Sequence, residues 1–247
     1  MRIYAVGDVH GQADLLHDLL SKIVRDSEAR GEADTRLVFV GDLIDRGPDA
    51  ARLLRLFATH QGTGTIWLLG NHEEALLKVV DGDMDAASAW LGFGGRATLA
   101  GFGVDAAALD PADPEAVVEA ARAAVPAACV EWLRELPRSC RFGDYFFAHA
   151  GVRPRVPLDA QDPHDLLWIR QPFLASRRWH GAMVVHGHTP TDGHVDFRPN
   201  RICVDTGAHA TGILSALALE GAERRVLSAW RGEPVALLEA PEPAVAA

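Results

Sequence analysis

Residues 2–11 read Arg2-Ile3-Tyr4-Ala5-Val6-Gly7-Asp8-Val9-His10-Gly11. An apolar run passes without a polar break into a Gly-Asp pair, and a histidine follows two positions later. A short apolar run closed by turn residues reads as a buried strand. Its polar end places Asp8 and His10 on one turn, where both can point into a single crevice. The same grammar returns twice. Leu37-Val38-Phe39-Val40 runs into Gly41-Asp42-Leu43-Ile44-Asp45-Arg46-Gly47, and Ile66-Trp67-Leu68-Leu69 runs into Gly70-Asn71-His72-Glu73.

Between these runs the periodicity becomes helical. Leu15, Leu16, Leu19, Leu20 and Ile23 recur at helical spacing within residues 12–29. Pro48 suits a first helical turn, with Leu53, Leu54, Leu56 and Phe57 on the buried side. Residues 73–80 continue as a third helix, with Glu73 and Glu74 in the first turn where the dipole favours acids. The reading is β-α-β-α-β-α, an α/β chain with a parallel sheet. Ligands of such sheets sit beyond the carboxyl ends of the strands, and Asp8, Asp42 and Asn71 occupy those ends.

Residues 81–136 break the pattern. They hold the bend Gly92-Phe93-Gly94-Gly95, a Pro/Asp stretch at 110–114 and two Ala-rich helical segments split by Pro126. A stretch this long exceeds an ordinary loop and reads as an inserted helical cap. Strands then return. Tyr145-Phe146-Phe147-Ala148 runs into His149-Ala150-Gly151, and Ala182-Met183-Val184-Val185 into His186-Gly187-His188-Thr189. Residues 201–204 run into Asp205-Thr206-Gly207, and strands follow at 214–219 and 225–230. Their close spacing predicts a second, mixed sheet. Residues 1–238 read as one domain, and the Pro/Ala/Glu tail at 239–247 has too little to bury to stay ordered.

The strand-end blocks supply Asp8, His10, Asp42, Asn71, His149 and His188, a set of hard oxygens and imidazoles. Such donors suit a pair of divalent metal ions, and a metal pair suits phosphoryl transfer. A carboxylate between two cations can bridge them, which is the natural role of the central acid, Asp42. One ion would take Asp8, His10 and Asp42. The other would take Asp42, Asn71, His149 and His188, and both would keep positions open for water and substrate.

The whole chain bounds the rest. It has 247 residues, 48% hydrophobic, with a net charge of −10, enough for one large domain with a full core. No Lys/Arg cluster offers the basic face that grips a nucleic-acid backbone, so no nucleic-acid partner is expected. Cys129, Cys140 and Cys203 are scattered and fit isolated thiols in a reducing compartment. No run approaches the ~18 apolar residues of a membrane span, and no charged leader precedes the first strand. A soluble cytoplasmic protein with no membrane partner is the expectation.

The blocks Gly-Asp-Val-His-Gly, Gly-Asp-Leu-Ile-Asp-Arg-Gly, Gly-Asn-His-Glu, His-Ala-Gly and Gly-His-Thr resemble the signature of the calcineurin-like metallophosphoesterases. Their form is most similar to the phosphoprotein phosphatase branch, as in bacterial and phage serine/threonine protein phosphatases. The resemblance covers residues 1–220 and is weakest over the cap. It implies a β-sandwich of two mixed sheets flanked by helices, and it implies the metal ligands already named. It further implies that His72 is the general acid, that Asp45 orients it, and that Arg46 and Arg170 bind phosphate. The second arginine is carried by Leu166-Leu167-Trp168-Ile169-Arg170. The implied reaction is hydrolysis of a phosphomonoester by direct attack of a metal-bridging hydroxide, with no phosphoenzyme. The implied substrate is a phosphoserine or phosphothreonine protein, with dual specificity as an alternative, or a small phosphoester, and the implied metal is manganese, with iron or zinc compatible. His186 reads as a packed or supporting group, Trp168 as core, and Asp205-Thr206-Gly207 as structural support.

Three rivals stand beside this reading. Symmetrical dinucleoside polyphosphate (diadenosine tetraphosphate) hydrolases resemble the scaffold, but typically carry Gly-Asn-His-Asp and lack the aspartate of Asp-Arg-Gly. Glu73 and Asp45 favour the phosphatase branch. A metal-free binding scaffold conflicts with the intact donors, and a nuclease conflicts with Pro190, where nuclease relatives usually carry a second histidine.

Overall fold

The computed structural model describes residues 1–60 and 62–231. Its first half alternates strands and helices: β1 (Arg2–Val6), α1 (Ala13–Ala29), β2 (Thr35–Phe39), α2 (Ala50–Ala58), β3 (Thr65–Trp67) and α3 (Asn71–Asp81). Helices α4 (Met84–Trp90), α5 (Arg96–Gly101), α6 (Pro114–Ala124) and α7 (Ala127–Glu135) follow. The second half carries β4 (Ser139–Phe142), β5 (Tyr145–Ala148), α8 (Pro163–Trp168), β6 (Met183–His186), β7 (Asp196–Phe197), β8 (Arg201–Cys203), α9 (Ala208–Thr211), β9 (Ile213–Glu220) and β10 (Glu223–Trp230).

These strands form two five-stranded mixed sheets, in the orders β10-β9-β1-β2-β3 and β4-β5-β6-β8-β7. Strands β1, β2 and β3 are parallel, as the β-α alternation requires. So are β5, β6 and β8. Side chains alternate across a strand, and β1 shows both faces at work. Ile3 and Ala5 join Val38, Val40 and Leu68 against Phe147, Val185, Ile202 and Val204 of the other sheet. Tyr4 and Val6 face the opposite way and pack with Phe39 of β2 and with Leu16, Leu19, Leu54 and Phe57 of the helical layer. A strand covered on both faces needs a continuous apolar run, which is why β1 and β2 lack the polar alternation of a surface strand.

One expectation is corrected. Strands β9 and β10 join the first sheet, not the second: β9 pairs antiparallel with β1, Val6 opposite Ala216, and β10 pairs with β9. The side chains explain the placement. Leu217 and Leu219 fill the space between the sheets, while the small Ala216 and Ala218 lie under the helical layer.

The inserted helices are built into the core. Ala87, Trp90, Leu99, Val117, Val118 and Leu133 share one buried cluster with α1, α2 and α3. The tail expected to be disordered lies outside the described residues. Among the described residues no helix is long and apolar enough to cross a membrane. All three cysteines are free, with Cys129 and Cys203 buried.

Candidate metal centre

The strand-end turns bend more sharply than their residue types favour. Six described non-glycine residues have positive φ, and five lie here: His10 (44°), Asp42 (52°), Asp45 (68°), Arg46 (65°) and His188 (65°). Left-handed backbone costs an L-residue roughly 1–2 kcal/mol. Strain gathered at one place persists only where the surrounding fold over-determines it. The motif glycines clear room for the donors: a Cβ on Gly187 would overlap Asp8 Oδ1, and one on Gly70 would overlap both Asp42 N and Asp42 Oδ1.

The six predicted donors meet at the carboxyl ends of the two sheets, all of them buried. Asp42 is central. Its Oδ1 lies 3.3 Å from His149 Nε2, and its Oδ2 lies 3.6 Å from His10 Nε2 and 3.8 Å from His72 Nε2. Two groups of ligand atoms result, His10–Asp42–His72 and Asp42–His149–His188, each with its atoms within 4.8 Å of one another. Asn71 Oδ1 lies 2.8 Å from His149 Nε2 and 2.7 Å from His188 Nδ1. Asp8 Oδ2 accepts the amide of His188 at 3.0 Å, whereas its Oδ1 is buried without a partner.

The chemistry of this set fits cations. A carbonyl oxygen only accepts, so the contacts of His10 Nδ1 to Ile44 O and of His149 Nδ1 to Val40 O, both 2.9 Å, are N–H donations. Each ring therefore turns Nε2 toward the carboxylate and amide oxygens. Such a convergence of lone pairs is favourable only around positive charge, a proton on His149 or a metal cation. Burial holds His10 well below the usual imidazole range and takes His188 down to about 3. Both are then neutral, as a metal-ligating imidazole must be. Burial opposes the charge of Asp42, yet His149 and His72 hold it ionised, well below the usual carboxylate range. Burial, with Asp205 and Asp42 alongside, pushes Asp8 well above it. An orphaned, crowded carboxylate of this kind gains most from a cation.

His72 and Asp45 form a buried pair, with Nδ1 2.7 Å from Asp45 Oδ2. The same oxygen accepts the indole N–H of Trp90 at 2.7 Å. The other carboxylate oxygen accepts the Thr98 hydroxyl, whose own oxygen accepts the amide of Asp45 at 3.0 Å. Burial disfavours the His72 cation, but Asp42 and Asp45 outweigh it and raise its pKa.

Arg46 lies across the opening. Its two terminal nitrogens sit 3.1 Å from His10 Nε2 and 3.1 Å from His72 Nε2. Arg170 is exposed and donates from Nε to His188 Nε2 at 3.3 Å. Both predicted arginines thus border the donor cluster, Arg46 at His10 and His72 and Arg170 at His188. His186 is a packed histidine against the Phe173 ring, its pKa pushed down to about 3 by burial. Trp168 is half-buried against the core and donates to Glu74. Asp205 braces its own turn by accepting the amide of Gly207 at 2.9 Å.

Three participants escape sequence reading, and Glu73, read there only as a first-turn acid and a branch marker, has a further role. Glu73 accepts the amides of Asp42, Leu43, Ile44 and Gly70 at 2.8–3.1 Å and ties two motif turns together. Burial pushes its pKa up to about 7. Its carboxylate is spent on the backbone, so its presence is not a substrate contact. Trp90 and Thr98 carry no motif signal. His209 stands beside Arg46, and its place two residues beyond Gly207 was the available clue.

Buried carboxylates and neutral imidazoles gathered at strand ends, with a buried His72–Asp45 pair and two arginines beside them, make a candidate centre for divalent metal ions. The chain belongs to the calcineurin-like phosphoesterases, whose profile matches residues 1–214. It is similar to serine/threonine-protein phosphatase 1 of Salmonella typhimurium (strain LT2), 31% identical over 227 residues, which cover 88% of this chain and 92% of that protein. It is also similar to the symmetrical bis(5'-nucleosyl)-tetraphosphatase of Dechloromonas aromatica (strain RCB), 31% identical over 155 residues. There the match covers 63% of this chain and 45% of that protein, so the chain spans under half the length of this relative. Among solved structures, one provisionally assigned as a diadenosine tetraphosphatase has a TM-score of 0.64 at 25% identity, over 94% of this chain and 95% of that one. A cold-active protein tyrosine phosphatase shares the fold with a TM-score of 0.59 at 19% identity, over 91% and 75% of the two chains.

Proposed function

We propose that this phosphoesterase is a serine/threonine protein phosphatase. The observation that carries the reading is the buried His72–Asp45 pair, 2.7 Å apart beside the donor cluster. Serine and threonine leave as alkoxides, strong bases that need a proton as the bond to phosphorus breaks. A positioned general acid contributes ~10²–10⁴-fold to such a step.

The residues divide the work. Asp8, His10 and Asp42 would hold one divalent ion, and Asp42, Asn71, His149 and His188 the other. When bound, such a pair neutralises phosphoryl charge and acidifies water for attack; manganese, iron and zinc all suit these donors. Arg46 and Arg170 grip phosphoryl oxygens through N–H forks. Asp45 accepts the Nδ1 proton of His72 and so keeps Nε2 as the atom that delivers a proton to the leaving oxygen.

A second reading is hydrolysis of dinucleoside tetraphosphates, supported by the Dechloromonas relative. Its leaving group is a nucleotide phosphate, a weak base that asks little of His72. The full-length match to the Salmonella phosphatase favours the first reading. The test is a side-by-side assay of manganese-loaded enzyme on a phosphoserine peptide and on diadenosine tetraphosphate. A higher kcat/KM on the peptide, lost in His72→Asn, supports the proposal. Turnover of the dinucleotide alone refutes it.

A further inference from the structure

We propose that His209 is a positioning residue for Arg46, holding the guanidinium in its phosphate-binding pose. This rests on the reading of Arg46 as a phosphate ligand.

Arg46 is exposed, sits at φ 65° and carries a long, flexible side chain. A side chain of this kind gives up much rotamer freedom when fixed. Beyond its 3.1 Å contacts to His10 Nε2 and His72 Nε2, two walls far apart in sequence hold it. On one side is the bend of the inserted helices: Gly94 O accepts the Arg46 amide at 3.2 Å, and Phe93 O accepts its Nε at 3.4 Å. On the other side is His209. One terminal nitrogen of Arg46 lies 3.5 Å from His209 Nδ1 and 3.4 Å from Nε2. Near-equal distances to both ring nitrogens describe a guanidinium resting against the ring, not an N–H aimed at one lone pair. Arginine packs well on flat rings in this manner.

The His209 ring is itself well placed. It meets the His10 ring edge-on, with centroids 5.2 Å apart, and α9 is pinned at both ends. Thr211 Oγ1 donates to Thr206 O at 2.8 Å, Thr206 Oγ1 donates to Ile213 O at 2.7 Å, and Asp205 accepts the Gly207 amide. His209 is half-buried, while the other imidazoles of the site are buried. It is therefore a wall of the opening, not part of the donor cluster. A guanidinium already held in place grips phosphate without paying the ordering entropy at each encounter.

The test measures inorganic phosphate binding to manganese-loaded enzyme by calorimetry, alongside kcat and KM on a phosphoserine peptide. The variants are His209→Ala, His209→Phe, Arg46→Ala and the double alanine variant, with circular dichroism to establish folding. His209→Ala is expected to weaken phosphate binding and kcat/KM by between roughly 10- and 100-fold, the scale of a misplaced binding group. His209→Phe keeps a flat ring and is expected to restore most of the loss. In the Arg46→Ala background, removing His209 is expected to add almost nothing, because the two residues act as one unit. Full additivity, or a phenylalanine variant as weak as alanine, would overturn the proposal. A normal His209→Ala beside an impaired Arg46→Ala removes the buttress alone. A normal Arg46→Ala removes the phosphate-ligand reading and the buttress together.

Discussion

Trp90 donates its indole N–H to the carboxylate oxygen of Asp45 that also accepts from His72, each at 2.7 Å. A residue of the inserted helices thereby helps fix the carboxylate that is bonded to the candidate acid. Trp90→Phe keeps the packing and removes the donor. Losing a hydrogen bond to a charged group costs about 1.5–3 kcal/mol, which denaturant unfolding should register. With the carboxylate less firmly fixed, kcat on a phosphoserine peptide should fall more than kcat on p-nitrophenyl phosphate, whose leaving group needs little protonation. Equal losses on both substrates would count against the link.

Asp42 borders both ligand groups, whereas His10 borders one. Elemental analysis of gently purified protein should find about two divalent ions per chain. Asp42→Ala should leave less than one, and His10→Ala about one. Removing the ions with a chelator should lower the melting temperature. At a free metal concentration 100 times Kd, linkage predicts a loss of about 2.7 kcal/mol per site.

Glu73 accepts four backbone amides and touches no substrate-facing space. Glu73→Gln replaces an acceptor oxygen with an amide donor aimed at other donors. Leaving buried groups unsatisfied costs about 1–3 kcal/mol each, so unfolding should shift to lower denaturant. Glu73→Asp should also destabilise, because the shortened side chain no longer reaches both turns. The ratio of phosphopeptide to dinucleotide turnover should not move. A reversal of that ratio would show that Glu73 selects the substrate.

Far from the site, Asp26 is gripped by both terminal nitrogens of Arg225, at 2.6 and 2.7 Å, and by the Tyr4 hydroxyl at 2.6 Å. The Arg225 bonds hold the Asp26 carboxyl down to about 2 against burial. A depressed folded-state pKa gives stability that is complete above the unfolded value, near 3.9. It is lost as pH falls from there toward about 2. The contribution is roughly 2 kcal/mol. Denaturant melts between pH 5 and 2 should show this slope, and Asp26→Asn should flatten it.

The donors were legible because each follows its strand directly: alternation names the strand, and the next polar residues fall at its carboxyl end. Trp90 and Thr98 were not, since their bonds to Asp45 span 45 and 53 residues. Nothing local marks a side chain that acts across the fold. The misplaced strands teach the same limit. Residues 213–220 announce themselves as a strand through composition, but the choice of neighbour depends on which face is large and which is small. That becomes readable only when Ala216 and Ala218 are seen beneath the helices. Arg170 was reachable through a motif, but its approach to His188 depends on the loop after α8.

Strand β1 is closed on one edge by β9, with Arg2 bonded to Glu220 across 218 residues of sequence. During synthesis, the segment bearing Asp8 and His10 leaves the ribosome long before that neighbour exists. Until then it presents a bare edge of the sort that invites foreign pairing. A growing chain must therefore keep this site incomplete, and stay in need of shelter from its own kind, until β9 has been made.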